Sequence, residues 1–378
     1  MQTRWVLKYT HGYTTTWLKE VQRVLKERIG FIALSLVLAF FNSAALHAAT
    51  ISPLYTPLPA LTAKQLAVVV NDADPLSMRI ANYYQDKRRI PDENIIHIRF
   101  KANSDTLSQE EFAVLKQQVD TQTPKQVQAF VLTWLKPFRV DCMSITTAFA
   151  AGFDQAFCAN VCQESRKSPY FASDSQQPFT DYHWRPTMVL AGHSFQEVKR
   201  LIDRGVAADF TRPQGSAYLL KTTDQARSSR AVFFPAIAKA FSGLWSVNYL
   251  EQDTIEKKTD VMFYFTGLMH VPDIEKNTYL PGAIADHLTS TGGILTGSDQ
   301  MNILDWIKAG ATASYGAVVE PCNFPAKFPH PGVLMHYYLR GNTLIEAYWK
   351  SVWEPGQGIF VGEPLAQPFA SPPKKQTH

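Results

Sequence analysis

A chain of 378 residues with 46% hydrophobic and 12% aromatic side chains has the material for a full core, which excludes global disorder. Its net charge of +4 sits in residues 1–28, where Arg4, Lys8, Lys19, Arg23, Lys26 and Arg28 face only Glu20 and Glu27. The remainder is electrically balanced, so there is no positive footprint for nucleic acid.

The basic segment is followed by an apolar run, Ile29–Phe41, and then by the small residues of NSAALHAAT. That order is the pattern of a secretory signal peptide over residues 1–49, cleaved near Ala48 or Ala49. The run is shorter than the ~20 residues a membrane span needs. Export to the periplasm or the exterior of a Gram-negative bacterium is the expectation, and an uncleaved signal segment would be the chain's one membrane contact. Residues 50–64 are proline-spaced and read as an extended lead-in. Residues 65–369 read as a single α/β domain, and 370–378 as a disordered tail.

The first strand is predicted at Leu66–Asn71, an apolar run suited to burial on both faces. Asp72 or Asp74 caps a helix that takes Pro75 in its first turn and runs to Arg89. Asn94–Phe100 gives a second strand, and a polar helix follows around Ser108–Thr121. A third strand, Ala129–Lys136, exits into Arg139, Asp141 and Cys142. Residues 152–186 show no period and are rich in aromatic, Pro, Ser and Cys residues, which suggests a pinned excursion or flap. Thr187–Gly192 returns to strand, and His193-Ser194 opens a helix through residue 210. Strands at Gly215–Thr222 and Val261–Gly267 flank a helix near Arg230–Ser242.

The densest stretch is 281–329. There the pattern predicts helix (Ala283–Thr289), strand (Gly293–Gly297), helix (Met301–Ala309) and strand (Ala313–Glu320). Helices at Val333–Leu339 and Thr343–Val352 and a short strand in GIFVGEP close the chain. Strands alternating with helices imply a mainly parallel sheet flanked by helices. No metal-ligand spacing, phosphate loop or hydrolase elbow stands out, and no cofactor is expected.

Four cysteines in an exported chain point to disulfides. Cys158 and Cys162 could close a small loop, leaving Cys142 and Cys322 as the other pair. A zinc site at Cys158 and Cys162 would need two more ligands, for which His183 and His193 are the candidates.

Several separate blocks carry a resemblance. NDADPLSMRIANYYQDKRRIP, FVLTWLKPFRV, GAIADHLTSTGG, GATASYGAVVEP and VGEPLAQPF together resemble an uncharacterised family of exported bacterial proteins found in species with the exosortase protein-sorting system. The chain lacks the Pro-Glu-Pro, membrane span and basic tail of an exosortase substrate, so the resemblance implies an accessory and not cargo. More distantly, VMFYFTG, GGILTGS, GATASYG and the terminal GEPL resemble the core of caspase-fold cysteine peptidases of the gingipain type. That resemblance implies a caspase/gingipain-like fold with a flavodoxin-like core. It would place a histidine near Gly267 and a cysteine near Ser298. His270 lies just past the first position, and a hydroxyl occupies the second.

Three chemistries follow. A thiol hydrolase would use His287 and Cys322, with Glu320 or Asp286 orienting the imidazole and a nearby cation such as Lys327 lowering the thiol pKa. A carboxylate or metal-dependent hydrolase would use Asp72, Asp286 and Glu320. A binding protein on a degenerate hydrolase scaffold would hold a peptide or saccharide through Trp134, Phe138, His193 and the 152–186 flap. In a parallel sheet the ligand crevice lies beyond the carboxyl ends of the strands. One ligand site is therefore expected there, bounded by Asn71, Asp72, Lys136, Arg139, His193, Asp286, Ser298 and Glu320.

Overall fold

The computed structural model describes residues 58–159 and 162–372. The expected signal segment, most of the expected lead-in and the end of the tail lie outside the described residues.

Strand β1 (Leu66–Asn71) is buried along its whole length. Helix α1 (Pro75–Arg88) begins at Asp74, whose carboxylate accepts from the Leu76 N–H at 2.9 Å. Strands β2 (Ile95–Ile98) and β3 (Thr106–Leu107) precede α2 (Gln109–Gln122), which Ser108 and Glu111 start with a capping box. β4 (Ala129–Leu132), β5 (Arg139–Val140), β6 (Met143–Ser144) and α3 (Ile145–Ala151) follow. Helix α4 (Pro178–Tyr182) is the one α-helix in the 152–186 excursion among the described residues. Next come β7 (Thr187–Val189), α5 (Phe195–Ala208), β8 (Ser216–Lys221) and α6 (Phe234–Ala240). The chain continues through β9 (Ser246–Glu251), β10 (Val261–Thr266), β11 (Tyr279–His287), α7 (Ile303–Ala309) and β12 (Ala313–Ala317). It ends with α8 (Pro331–Leu339), α9 (Leu344–Trp349) and β13 (Gly358–Gly362).

Ten strands form one sheet in the order β2-β1-β4-β7-β13-β12-β11-β10-β8-β9. The expected mainly parallel sheet flanked by helices is what the chain forms. Every neighbouring pair is parallel except β12 and β13, which run antiparallel from Ala313↔Gly362 to Ala317↔Gly358. That single reversal divides the sheet into two parallel halves running in opposite directions. The carboxyl ends of β1, β4 and β7 therefore lie on one edge, and those of β12, β11, β10 and β8 on the other. β3, β5 and β6 make a separate three-stranded sheet.

Three expectations are corrected. Residues 283–289 are not a helix: β11 extends through His287 in the middle of the sheet, buried from Gly282 onward. Gly293–Gly297 is a turn and not a strand: Ile294 N–H bonds the Thr291 carbonyl at 3.0 Å and Gly297 N–H the Ile294 carbonyl at 2.9 Å, while Gly293 N–H alone reaches the Ala317 carbonyl at the end of β12, at 2.8 Å. The disulfides join Cys142 to Cys158 and Cys162 to Cys322, with Cα separations of 5.4 and 5.5 Å.

Candidate active edge of the second half-sheet

Asp286, next to the end of β11, is fully buried, and its Oδ1 accepts from Arg230 Nη2 at 2.6 Å. Arg230 also donates to the carbonyls of Thr266 (2.9 Å) and Pro329 (3.1 Å). One guanidinium thus ties together the exits of β10 and β11 and the approach to α8. Burial pushes the Asp286 carboxyl up to about 6, against the opposing pull of the Arg230 charge. Among the described residues, Oδ2 of Asp286 and Nε of Arg230 have no hydrogen-bond partner.

His287, the next residue, points to the other face of the strand. Its Nε2 bonds the Met301 carbonyl at 3.1 Å, and its Nδ1 accepts from Trp306 Nε1 at 2.9 Å. The Nε2–H tautomer satisfies both bonds, so the neutral ring is fully used. Burial pushes its pKa down to about 3. His330, buried at the start of α8 where it caps Val333, is likewise pushed down to about 3 by burial.

Backbone packs against backbone at this edge. A Cβ on Gly267 would stand 1.9 Å from the Arg227 carbonyl oxygen, so only glycine fits there. Thr222 Oγ1 donates to the Gly267 carbonyl at 2.6 Å, holding the β8 exit on the β10 exit. Outside this joint lies a polar row that runs from the buried Thr289 through the half-buried Arg227, Asp224, Thr291 and Gln300 to the exposed Ser298. Arg227 donates to Thr289 Oγ1 (3.0 Å) and Asp224 (2.8 Å), Thr289 to Gln300 Oε1 (2.6 Å), and Ser298 Oγ meets Thr291 Oγ1 at 2.9 Å. Only three large hydrophobic side chains are exposed among the described residues, and two of them, Val232 (72%) and Met269 (38%), are within two residues of Arg230 and Gly267.

The expected site residues do not converge. Asn71 ends β1, Asp72 follows it and His193 follows β7, on the edge opposite Asp286 and His287. Asn71 Oδ1 accepts from the Ala73 and Phe100 N–H groups, Asp72 pairs with His97 at 2.7 Å, and the His193 N–H bonds Glu197. Lys136 heads a cis peptide bond to Pro137. Arg139 donates to Thr106 at 2.5 Å, and Trp134 and Phe138 are buried and cannot serve a ligand. Glu320, three residues beyond β12, accepts from the Cys322 N–H at 2.7 Å.

The thiol pair is corrected as well. Cys322 is bridged to Cys162 and offers no thiolate, and His287 has no free nitrogen. Lys327 is buried with Nζ donating to the Gln163 carbonyl at 2.7 Å, and burial pushes it down to about 8. The carboxylate set is split, since Asp72 stands on the other edge from Asp286. No group of three metal-ligating side chains occurs among the described residues. A groove of about 730 Å³ beside α2, lined by Phe112, Lys116, Asp120 and Phe153 among others, involves none of the expected residues. Sequence reasoning missed Arg230 and Arg227, because RSSRAVFF carries no motif and the partners that place them here, Thr266, Asp286 and Pro329 for Arg230 and Thr289 for Arg227, are 36 to 99 residues away.

No protein-family model matches the chain, and no curated protein matches it. Among solved structures, the chain is similar to the Arg-specific cysteine proteinase gingipain R, with a TM-score of 0.43 and 10% identity over 83% of this chain and 80% of that one. A structure described as a protease gives a TM-score of 0.40 and 8% identity over 82% and 80%. Likeness this loose assigns no residue a role. Among the described residues no helix is long and apolar enough to cross a membrane.

Proposed function

We propose that the chain is an exported binding protein on a caspase/gingipain-like scaffold without a thiol dyad, accessory to an exosortase-linked envelope or exopolysaccharide system. The observation that supports it is that both halves of a thiol dyad are spent: both nitrogens of His287 are engaged and the sulfur of Cys322 is bridged. The ligand is a peptide or saccharide, received where Val232 and Met269 flank the Arg227–Thr289–Gln300 row.

The test is alkylation of the native exported protein, followed by peptide mapping and a fluorogenic peptide-hydrolysis assay. All four cysteines should resist iodoacetamide until reduced, and no hydrolysis should appear. Rapid labelling of Cys322 alone, with hydrolysis abolished in Cys322→Ser, would replace this reading with the peptidase one. Probing a peptide array and a polysaccharide panel with wild type and Arg227→Ala then tests the surface, binding being expected to weaken about tenfold or more in the variant.

A further inference from the structure

The segment that carries the proposed ligand surface is pinned by one buried side chain. Arg227–Phe233 is a single 3-10 helix leading into α6, a form with poor internal hydrogen-bond geometry. Of its residues only Arg230 and Ala231 are buried. Arg230 reaches inward past the rings of Phe265 and Phe328, whose centroids lie 5.8 and 5.7 Å from its guanidinium carbon. Its anchors are the Asp286 carboxylate and the Thr266 and Pro329 carbonyls. Arg227 and Val232, offered to the ligand, stand on either side of this pin.

The two carbonyl anchors do not change with pH, and the groups around them hold their charge. Tyr315 of β12 and Tyr348 of α9 face Asp286. Burial, and after it the Asp286 charge, raises both phenols well above their usual value, so both stay protonated. His330 faces Arg230 from the start of α8, and burial keeps it neutral down to about pH 3. His287, on the other face of β11, is neutral over the same range. Within the segment, burial pushes Asp224 up, but bonds from Arg227 outweigh it and keep the carboxylate ionised. His270, past the end of β10, is exposed and bonded to none of the anchors. Asp286 is the buried group here that changes charge near pH 6, and its Oδ2 is open to the proton.

We infer that Asp286 and Arg230 form an acid-released latch on residues 224–233: the ionised carboxylate holds the segment and its ligand surface in place, and the protonated one lets it loosen. The latch regulates the site proposed above and rests on that reading for what the segment carries. Its direction is set by which partner stays buried. Asp286 lies in a strand paired on both sides, so it remains buried when Arg230 swings out. It then keeps the burial penalty and loses the cation that opposed it. The open form binds the proton more tightly than the closed one, and acid favours opening. In global unfolding the carboxyl reaches water instead, and there the proton favours the folded chain.

The test is amide hydrogen exchange of the exported full chain without ligand, at pH 7.5 and pH 5, corrected for the intrinsic pH dependence of exchange. Protection over residues 224–233 should fall about tenfold in acid, the strength of one charge-assisted bond, while β1 and α1 keep theirs. Asp286→Asn, neutral at every pH, should show the low protection at both. His270→Gln and His330→Gln should each retain the wild-type pH dependence. Equal protection at the two pH values in wild type overturns the inference, and this arm decides alone if Asp286→Asn does not fold. A folded Asp286→Asn as well protected as wild type at pH 7.5 also overturns it, as does loss of the pH dependence in either histidine variant. If the segment loosens in acid as expected, yet nothing in the peptide array or polysaccharide panel binds at either pH, the latch stands and the ligand reading falls.

Discussion

Asp286 and His287 are neighbours on one strand, and burial moves both toward their neutral forms by opposite shifts. For Asp286 the folded pKa, about 6, lies above that of an unfolded aspartate. Burial therefore costs nothing while the group is protonated, and stability falls as pH rises from about 4 to about 6. At ~1.4 kcal/mol per unit the slope amounts to about 3 kcal/mol. The stability of Asp286→Asn relative to wild type should accordingly rise by that order between pH 4 and pH 7, as read by urea unfolding. A flat difference would mean that Arg230 holds the carboxylate in its ordinary range. His287 runs the other way in pH: its folded value, about 3, lies below 6.5, so its contribution is complete above 6.5 and is lost as pH falls toward 3. In a histidine-selective NMR titration its ring should keep the neutral Nε2–H form down to pH 5. A midpoint near neutrality would return it to the list of acid-base groups.

At the level of single elements, β11 shows where sequence pattern failed and why. GAIADHL is short on β-branched residues and its spacing suits a helix, yet it is the strand with neighbours on both sides and side chains buried on both faces. Burial in a central strand outweighs a propensity of a few tenths of a kcal/mol per residue. Where local and tertiary signals agreed, as at β1, α1 with its Asp74 cap, or β10, the elements were legible. β9 was not foreseen, since Ser246, Asn248 and Glu251 interrupt its apolar residues and all six are exposed or half-exposed, which leaves no long apolar run. Gly267 is the tightest joint between elements at the active edge. Gly267→Ala forces its Cβ against the Arg227 carbonyl, a backbone atom with no rotamer to yield. The expected loss is about 1–3 kcal/mol by denaturant titration, with Arg227 displaced and ligand binding weakened in parallel. A variant as stable as wild type would show that the 222–230 loop is loosely laid and not clamped.

Across the whole molecule, the reversal at β12/β13 decided what the sequence could tell about the site. The alternation of strands and helices is legible, but no local signal says that a strand added at the end of the chain inserts antiparallel between the two halves. Reading every strand exit as one edge therefore joined Asn71 and Asp72 to Asp286, which the fold keeps apart. The same insertion has to be held, and a buried charge cluster helps to hold it. Arg88 at the end of α1 is bonded to Glu363, just past β13, and to Asp209, which caps the end of α5. Tyr84 adds a hydrogen bond to Glu363 at 2.7 Å. Burial works against the charge on Arg88, but Glu363, Tyr84 and Asp209 outweigh it and raise its pKa. Helix α5 spans the seam, packing on α1 on one side and on β11 on the other. One hydrophobic cluster contains residues from both halves, Val68 and Met188 as well as Phe263 and Ile284. The two halves should therefore melt together, in one calorimetric transition whose measured and van't Hoff enthalpies agree. Arg88→Met leaves the buried carboxylate of Glu363 and the partly buried one of Asp209 without their cation, and should lower stability by about 3–5 kcal/mol. Its transition should stay single, because the shared core and the five-residue β12/β13 register are untouched. Two separated transitions in the wild type would show that the halves fold as independent units, and two in the variant alone would make the charge cluster the main link between them.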